Sequence, residues 1–347
     1  MSEPNKENKL HLDLSRDLSM AISEYAPGSQ IVADGNLITS EYIRRVQNKE
    51  WKRYDFIYCD CKTLNLEPYS EFDSDDRFKV CKACGQELDK RKKKTFLIPE
   101  FGFESTKVEK ATLIKPKKTY HGEIAYVGYR DEIESQNYEK EGYKYQVAFS
   151  QNDEMAVINQ ASFYICNACG YTYLSEDGFS SVMEKMHKRP NGYECGNKLL
   201  RRTALGYRFE TDVIKIRFSY PRITEFNEAI SILYGIMRGA CISLNIEEKD
   251  IDGCVQYFED SITFDKGYEL ILYDKTPGGS GHVKKLKDID VFTMVLKKTY
   301  QIMHNCSCGG TDMDTSCYNC LRSYSNQRMH DILQRGHVVR FLEKVIS

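Results

Sequence analysis

The chain has 347 residues, which is too long for one ordinary domain and suits two or three. With 41% hydrophobic residues, 29% charged residues and 24 tyrosines, its composition is globular and excludes general disorder. The formal net charge of −2 excludes a uniformly basic nucleic-acid-binding protein, so any phosphate contact must come from a local patch.

Hydrophobic periodicity and turn residues predict short elements along the chain. A polar tail, residues 1–11, is expected to be disordered. Leu14, Leu18 and Ile22 have helical spacing, and Asp34-Gly35 separates the two strands of a hairpin. Further strands are predicted at 54–59, 95–103, 123–129, 143–149, 155–158, twice within 205–219, and at 268–273, and helices at about 225–244, 289–303 and 329–346.

Targeting signals and membrane spans are not expected. No run of about 18 apolar residues occurs, and the N-terminal MSEPNKENKL lacks the apolar stretch of a signal peptide. We therefore predict a cytoplasmic protein without membrane contact, whose cysteines stay reduced. In that setting, closely spaced cysteine pairs indicate metal ligands more than disulfides.

Eleven of the thirteen cysteines and one histidine form three four-residue groups with zinc-ligand spacing. Group one and group three each combine a CxC pair with a CxxC pair, and group two opens with CNACG and closes with H-x7-C. The alternative for group two is that His187 is exposed and Cys195 unpaired. Its long gap could form a loop and a short helix. The groups are Cys59, Cys61, Cys81 and Cys84; Cys166, Cys169, His187 and Cys195; and Cys306, Cys308, Cys317 and Cys320.

These groups predict two or three structural Zn²⁺ ions, because four thiolate or imidazole ligands leave no open position for a catalytic water. Cys241 and Cys254 remain outside the groups and are expected to be small buried hydrophobes. His304 is interpreted as a helix-end residue. No HExxH sequence or deaminase-type ligand set is present, so the zinc is not expected to be catalytic.

The loop in LILYDKTPGGSGHVKKL, residues 270–286, follows an apolar strand and allows three interpretations. It could be a tight turn, or an anion site built from glycine N–H groups with Lys284 and Lys285. It could also be the centre of a hydrolase or nuclease that uses Asp274 and a Ser280–His282 pair.

Basic residues beside the zinc groups are the other candidates for nucleic-acid contact. Each set can equally be a solvated face or part of the packing around a zinc loop. The predicted nucleic-acid-binding residues are Lys90, Arg91, Lys92, Lys93, Lys94, Lys284, Lys285, Arg322 and Arg328.

Together these features predict an α+β fold of short-stranded sheets with zinc-ribbon-like modules and a few packed helices. After the disordered tail, we expect an N-terminal segment with the first zinc ribbon (12–103). A β-rich middle domain with the second zinc site follows (104–220), and then a C-terminal α/β domain with the third (221–347).

Three stretches resemble a known family over about residues 12–345. They are AISEYAPGSQIVADG; CNACG…H…C followed by LGYRFETDVIKI; and YDKTPGGSGHV…CSCGG…SCYNCLRSYSNQRMHDILQRG. They are similar to the C-terminal region of MrfA-type DNA helicases, which contains the zinc-binding MZB domain, and to the DrmB protein of DISARM phage-defence systems. The first cysteine group has no clear counterpart in that family.

The resemblance implies that group three binds zinc and is needed for DNA repair, beside a superfamily 2 helicase motor. This sequence has no Walker A sequence GxxxxGK[ST] and no DEAH-type box, so we expect no ATPase or other catalytic activity of its own. The leading hypothesis is a zinc-stabilised nucleic-acid-binding accessory module that acts with such a helicase, as a separate partner chain or fused to it, in DNA repair or phage defence. The alternatives are the metal-dependent hydrolase or nuclease of loop 274–282, and a helicase scaffold that does not bind DNA.

Overall fold

The computed structural model describes residues 14–71, 77–113, 116–117, 122–128, 134–140, 142–175, 180–259 and 265–346. The tail predicted to be disordered, residues 1–11, lies outside this range. The chain divides into two compact units and enters each of them three times. Unit 1 comprises Met1–Asp55, Lys94–Glu123 and Val157–Tyr207; unit 2 comprises Phe56–Lys93, Ile124–Ala156 and Arg208–Ser347. The linear domain boundaries proposed from the sequence stay a prediction.

The helices form close to their predicted positions. In the described ranges they are α1 (Leu18–Glu24), α2 (Phe226–Leu244), α3 (Ile289–His304) and α4 (Arg335–Ile346). The side chain of Asp288 caps α3 by accepting hydrogen bonds from the N–H groups of Asp290 and Val291. Helix α4 begins later than residue 329, because Gln327–Met329 forms a 3₁₀ turn. None of the helices in these ranges has the length and apolarity needed to cross a membrane.

Strands dominate the first two-thirds of the chain. In chain order they are β1 (Gln30–Ala33), β2 (Asn36–Thr39), β3 (Tyr42–Ile43), β4 (Arg53–Tyr58), β5 (Leu64–Pro68), β6 (Lys94–Leu97), β7 (Phe103–Glu104), β8 (Lys107–Lys110), β9 (Glu123–Tyr126), β10 (Glu134–Lys140), β11 (Tyr143–Ile165), β12 (Thr172–Leu174), β13 (Val182–Glu184), β14 (Leu199–Tyr220), β15 (Ile251–Glu259) and β16 (Lys266–Asp274). Helices and sheets together confirm the predicted α+β fold.

Two pairs of predicted strands are single long strands instead. The polar residues near 151–154 indicated a break, yet β11 continues through them. Asn152 adopts φ 52° and Asp153 is fully buried, where its carboxylate accepts a 2.7 Å hydrogen bond from the Tyr126 hydroxyl. The buried carboxylate of Asp153 therefore has a hydrogen-bond partner within unit 2, and the strand can continue. Likewise, β14 runs without a break through residues 205–219, where two strands were expected.

Unit 1 contains two small sheets and the strand ends that flank the second cysteine group. Strands β1, β2 and β8 form an antiparallel sheet, and β3 pairs with β7. The Asp34-Gly35 turn joins β1 to β2 with φ 48° and 70°, which confirms the predicted hairpin. Within this unit β12 pairs with the end of β11, and β13 pairs with the start of β14.

Unit 2 contains the largest core. Strands β15 and β16 pair antiparallel along their length, and β16 also pairs with β14 through Val213–Ile216. Helices α2, α3 and α4 pack on one another, and α2 packs on β15 and β16. Fully buried side chains of this core include Ile232, Leu233, Ile236, Leu270, Leu272, Phe292, Val295, Val338 and Leu342.

Gly239 permits the close approach of α2 and α3. A Cβ atom at this position would lie on the Thr299 hydroxyl and 3.1 Å from the Val295 carbonyl oxygen. We expect Gly239→Ala to lower the free energy of unfolding by about 2 kcal/mol, since overpacking outweighs the gain in helix propensity. Ile242→Ala on the exposed side of α2 is the control, with a change of about 0.5 kcal/mol or less. Chemical denaturation monitored by circular dichroism measures both, and equal effects would contradict the packing argument.

Candidate metal centres

Each of the three predicted groups comes together in the structure. In every group the four candidate ligand atoms lie within 4.8 Å of one another. Groups one and three belong to unit 2, and group two belongs to unit 1. All thirteen cysteines are free thiols.

The sulfur–sulfur distances match a tetrahedral zinc site. Four thiolates at a zinc–sulfur distance of about 2.3 Å lie about 3.8 Å apart, whereas a disulfide requires about 2.05 Å. The observed separations are 3.6 Å for Cys59–Cys84, 3.7 Å for Cys61–Cys81, 3.6 Å for Cys306–Cys317 and 3.8 Å for Cys308–Cys320. The donor atoms therefore have the spacing that zinc needs.

The CxxC turns of groups one and two share one backbone geometry. The Gly85 N–H donates to the Cys81 carbonyl, and the Gly170 N–H donates to the Cys166 carbonyl, both at 2.9 Å. These glycines have φ of 69° and 79°, so the turn uses the left-handed conformation that glycine adopts readily. At Gly170 a Cβ would also meet the carbonyl oxygen of Ile43. The same glycine turn, or knuckle, therefore closes the CxxC pair of group one and that of group two.

Backbone N–H groups prepare the first cysteine of a CxxC pair for ionisation. Burial opposes ionisation of Cys81, but the N–H groups of Ala83 and Cys84 lower the pKa of this thiol to about 7. Burial likewise opposes ionisation of Cys317, while the Asn319 N–H lowers its pKa to about 7.

The pKa values of two other thiols in these groups are raised. Burial raises the pKa of Cys61 to about 11, and burial together with the Cys306 thiol raises that of Cys308. A divalent cation would supply the charge that allows all four sulfurs to ionise.

His187 presents a ring nitrogen to group two. Its Nδ1 lies 2.9 Å from the Lys185 carbonyl oxygen, which can only accept, so Nδ1 carries the proton. Tyr171 stacks on the imidazole with a centroid distance of 4.6 Å. The Nε2 atom is buried and has no hydrogen-bond partner in the described structure. An orphaned imidazole nitrogen beside three thiols is the donor that a zinc ion would satisfy.

The structure does not support the alternative in which His187 is exposed and Cys195 is unpaired. His187 is only 8% exposed, and the Cys195 sulfur lies 3.9 Å from that of Cys166. A hydrogen bond from the Cys169 thiol and the N–H groups of the turn lower the pKa of Cys166 to about 4. The gap before His187 contains strands β12 and β13 where a short helix was suggested, and residues 176–179 lie outside the described ranges.

Arg335, which follows group three in the sequence, organises the loop of that group. Its guanidinium donates to the Cys308 carbonyl through Nε and Nη2, at 3.1 and 3.0 Å, and to the Gly310 carbonyl at 3.1 Å. The side chain is only 3% exposed. A zinc ion with four thiolates carries a net charge of about −2, so a buried guanidinium beside it is electrostatically favourable.

Asn65 and Tyr171 contact the ligands of groups one and two and were not predicted as site residues. The amide of Asn65 lies 3.6 Å from the Cys81 sulfur, and its oxygen accepts from the Lys82 N–H at 3.0 Å. Asn65 thus orients the knuckle of group one, as Tyr171 orients His187 in group two. Only Tyr171 had a sequence signal, because it directly follows the knuckle glycine.

The predicted nucleic-acid-binding residues belong to three segments of the chain, and several of them contact neighbouring side chains. Lys90, Arg91 and Lys92 form a 3₁₀ turn beside group one, where Arg91 pairs with Asp89 and Lys92 pairs with Asp60. Lys93 ends the same segment of unit 2, while Lys94 belongs to unit 1 and donates to Gln160. Lys284 and Lys285 are exposed on a 3₁₀ turn, Arg322 is half-buried and donates to Ser316, and Arg328 is exposed near group three.

The loop after β16 is organised by Asp274. This carboxylate is fully buried and accepts hydrogen bonds from the N–H groups of Ser280, His282 and Val283 at 2.7, 3.1 and 2.9 Å. Gly279 packs so closely on Asp212 that a Cβ would overlap the carboxylate. The glycines therefore serve a tight turn, and Asp274 is engaged in holding it.

One segment of the chain matches a known protein family. Residues 232–321 match the family model described as the MrfA Zn-binding domain, MZB. Druantia protein DruE from Escherichia coli (strain UMEA 4076-1) is 24% identical over 364 residues, covering 92% of this chain and 19% of DruE. The crystal structure of the DUF1998 helicase MrfA bound to DNA is similar with a TM-score of 0.38 and 12% identity, covering 65% of this chain and 25% of that one.

The chain thus spans about a fifth of DruE and a quarter of MrfA in these matches. The likeness to DrmB stays a prediction. Three cysteine-rich groups fit two or three structural zinc ions, and residues 232–321 are similar to the MrfA zinc-binding domain, which confirms the resemblance predicted from the sequence.

Proposed function

We propose that this chain is a zinc-stabilised, nucleic-acid-binding accessory module that acts with a superfamily 2 DNA helicase in DNA repair or phage defence. The observation that carries this proposal is the match of residues 232–321 to the MrfA Zn-binding domain. MrfA itself is described as a helicase bound to DNA. The helicase is either a separate chain or another part of the same polypeptide, and the protein works in the cytoplasm.

The residues of this chain support a structural role for the zinc. When bound, zinc supplies a fixed tetrahedral link between two loops of the chain. Cys306, Cys308, Cys317 and Cys320 would hold the third ion at the end of α3, and Arg335 holds the surrounding carbonyls. Rigid loops of this kind position side chains on the surface without the need for a large core.

The hydrolase alternative has less support from the geometry. The carboxylate of Asp274 accepts hydrogen bonds from three backbone N–H groups. The Nε2 atom of His282 lies 3.9 Å from a carboxylate oxygen of Asp250. Within the described residues, no hydrogen bond joins the Ser280 hydroxyl to the His282 ring. A nucleophile with its activating base would require that contact. We therefore retain the DNA-binding proposal, with a scaffold that does not bind DNA as its competitor.

Binding of labelled oligonucleotides to the zinc-loaded chain tests the proposal. Fluorescence anisotropy with single-stranded and duplex DNA should show affinity that falls steeply between about 50 and about 200 mM salt. Combined Lys284→Gln and Lys285→Gln substitutions should weaken binding and reduce the slope of log affinity against log salt. A folded, zinc-loaded chain with no salt-dependent affinity for either form would contradict DNA binding and favour the scaffold.

A further inference from the structure

The hairpin that carries His187 and Cys195 has an exposed tip that backbone hydrogen bonds close. Its strands pair through Val182↔Arg201 and Glu184↔Leu199. Nearer the turn, the backbones of Lys188 and Glu194 form an isolated antiparallel β-bridge. At the tip the Arg189 N–H donates to the Tyr193 carbonyl at 2.8 Å, and the Gly192 N–H donates to the Arg189 carbonyl at 2.9 Å. Two ligands of group two thus flank a closed turn, which we call the module-two tip (residues 188–193).

The charge around this tip is strongly positive, unlike that of the chain as a whole. Residues 180–202 contain six lysines and arginines against two carboxylates. Lys188, Arg189, Lys198 and Arg201 are exposed, and none of them forms an ion pair with a carboxylate of the described residues. Unpaired cations clustered on one module are the surface to which a phosphate backbone is attracted.

Exposed apolar side chains accompany these charges. Tyr193 is 75% exposed at the tip, and Met186 is 68% exposed on the strand that leads to it. The turn holds the backbone of Tyr193 in place, while its ring remains open to solvent. An exposed aromatic ring among cations is the arrangement on which unpaired bases stack.

We infer that the module-two tip binds single-stranded nucleic acid, with the Tyr193 ring stacked on a base and Lys188 and Arg189 on flanking phosphates. This inference rests on the proposed function and assigns part of the contact to a zinc module outside the matched residues 232–321. Duplex is a poorer fit, because paired bases hide the faces that the ring would cover. An acidic protein would satisfy the cations, but it would leave the exposed tyrosine without a specific role.

Anisotropy titrations of the full zinc-loaded chain with labelled oligo-dT test the inference. Tyr193→Ala should weaken binding about tenfold, whereas Tyr193→Phe, which keeps the stacking ring, should remain within about twofold. Lys188→Gln with Arg189→Gln should reduce the slope of log affinity against log salt by about 1.4, that is about 0.7 per phosphate. Lys297→Gln with Lys298→Gln on α3 is the matched control and should leave the slope unchanged.

The outcomes separate this inference from the proposed function. Zinc content and thermal midpoint, measured for every variant, should equal those of the parent chain. If the parent binds oligo-dT but the module-two variants bind equally well, this inference fails and the proposed function stands. If the parent binds no nucleic acid, both fail. If polyglutamate displaces oligo-dT at equal charge and Tyr193→Ala has no effect, the tip is a contact for an acidic protein, which also overturns the inference.

Discussion

The purified chain should contain three zinc ions, and Cys320→Ser should remove one of them and unfold the helical core of unit 2. Cys320 is buried in that core, and the other three cysteines of group three pack against it. The apparent free energy of binding a structural zinc ion is about 10–16 kcal/mol, comparable to the whole stability of a domain. Loss of this ion should therefore abolish the cooperative thermal transition of unit 2.

Metal analysis and calorimetry of the same samples measure this effect, with Cys254→Ala as the control. Cys254 lies in β15 outside the three groups, so its variant should retain all three ions. Cys195→Ser should also remove one ion, but its local cluster is small, so the transition of unit 2 should persist. Full zinc content after Cys320→Ser would show that group three does not hold the metal.

Arg335→Ala should lower the free energy of unfolding by about 3 kcal/mol and accelerate the release of one zinc ion to a chelator. The substitution removes a buried guanidinium together with its three hydrogen bonds to the carbonyls of Cys308 and Gly310, and each hydrogen bond to a charged group contributes about 1.5–3 kcal/mol. Arg335→Lys should recover only part of this loss, because an ammonium cannot reproduce the fork of three hydrogen bonds.

Arg340→Ala is the matched control on the same helix. Arg340 also bonds to the loop of group three, through Asp314 at 3.0 Å, but both side chains are about half exposed. Such a surface ion pair contributes about 1 kcal/mol or less. Denaturant titration and stopped-flow chelation measure both variants, and an equal effect of the two substitutions would argue against the buried role of Arg335.

The metal centres were the most predictable part of the molecule, because ligand spacing is a local property of the sequence. The CxxC pairs and the glycines after Cys84 and Cys169 determine a knuckle without reference to the rest of the chain. The hairpin at Asp34-Gly35 and helix α2 were predictable for the same reason. Each depends on turn chemistry or periodicity over fewer than about 20 residues.

Features that depend on distant partners were not predictable. The sequence near 151–154 indicates a strand break, but the hydroxyl of Tyr126 satisfies Asp153 and the strand continues. Arg335 has no local sign of its bonds to Cys308, which lies on a separate loop. The lysines and arginines were grouped by their positions in the sequence, which does not reveal that Lys92 pairs with Asp60 or that Arg322 donates to Ser316.

The threefold entry of the chain into each unit constrains how the protein can fold during synthesis. Residues 56–93 belong with residues 208–347, so the first segment leaves the ribosome roughly ten seconds before its partners, at about 5–20 residues per second. Each cysteine group, in contrast, closes within a short stretch of sequence and can capture its ion at once. The supply of zinc during synthesis should therefore determine the yield of folded protein. Loops that have bound zinc protect the earlier segments from aggregation until the rest of their unit has been synthesised.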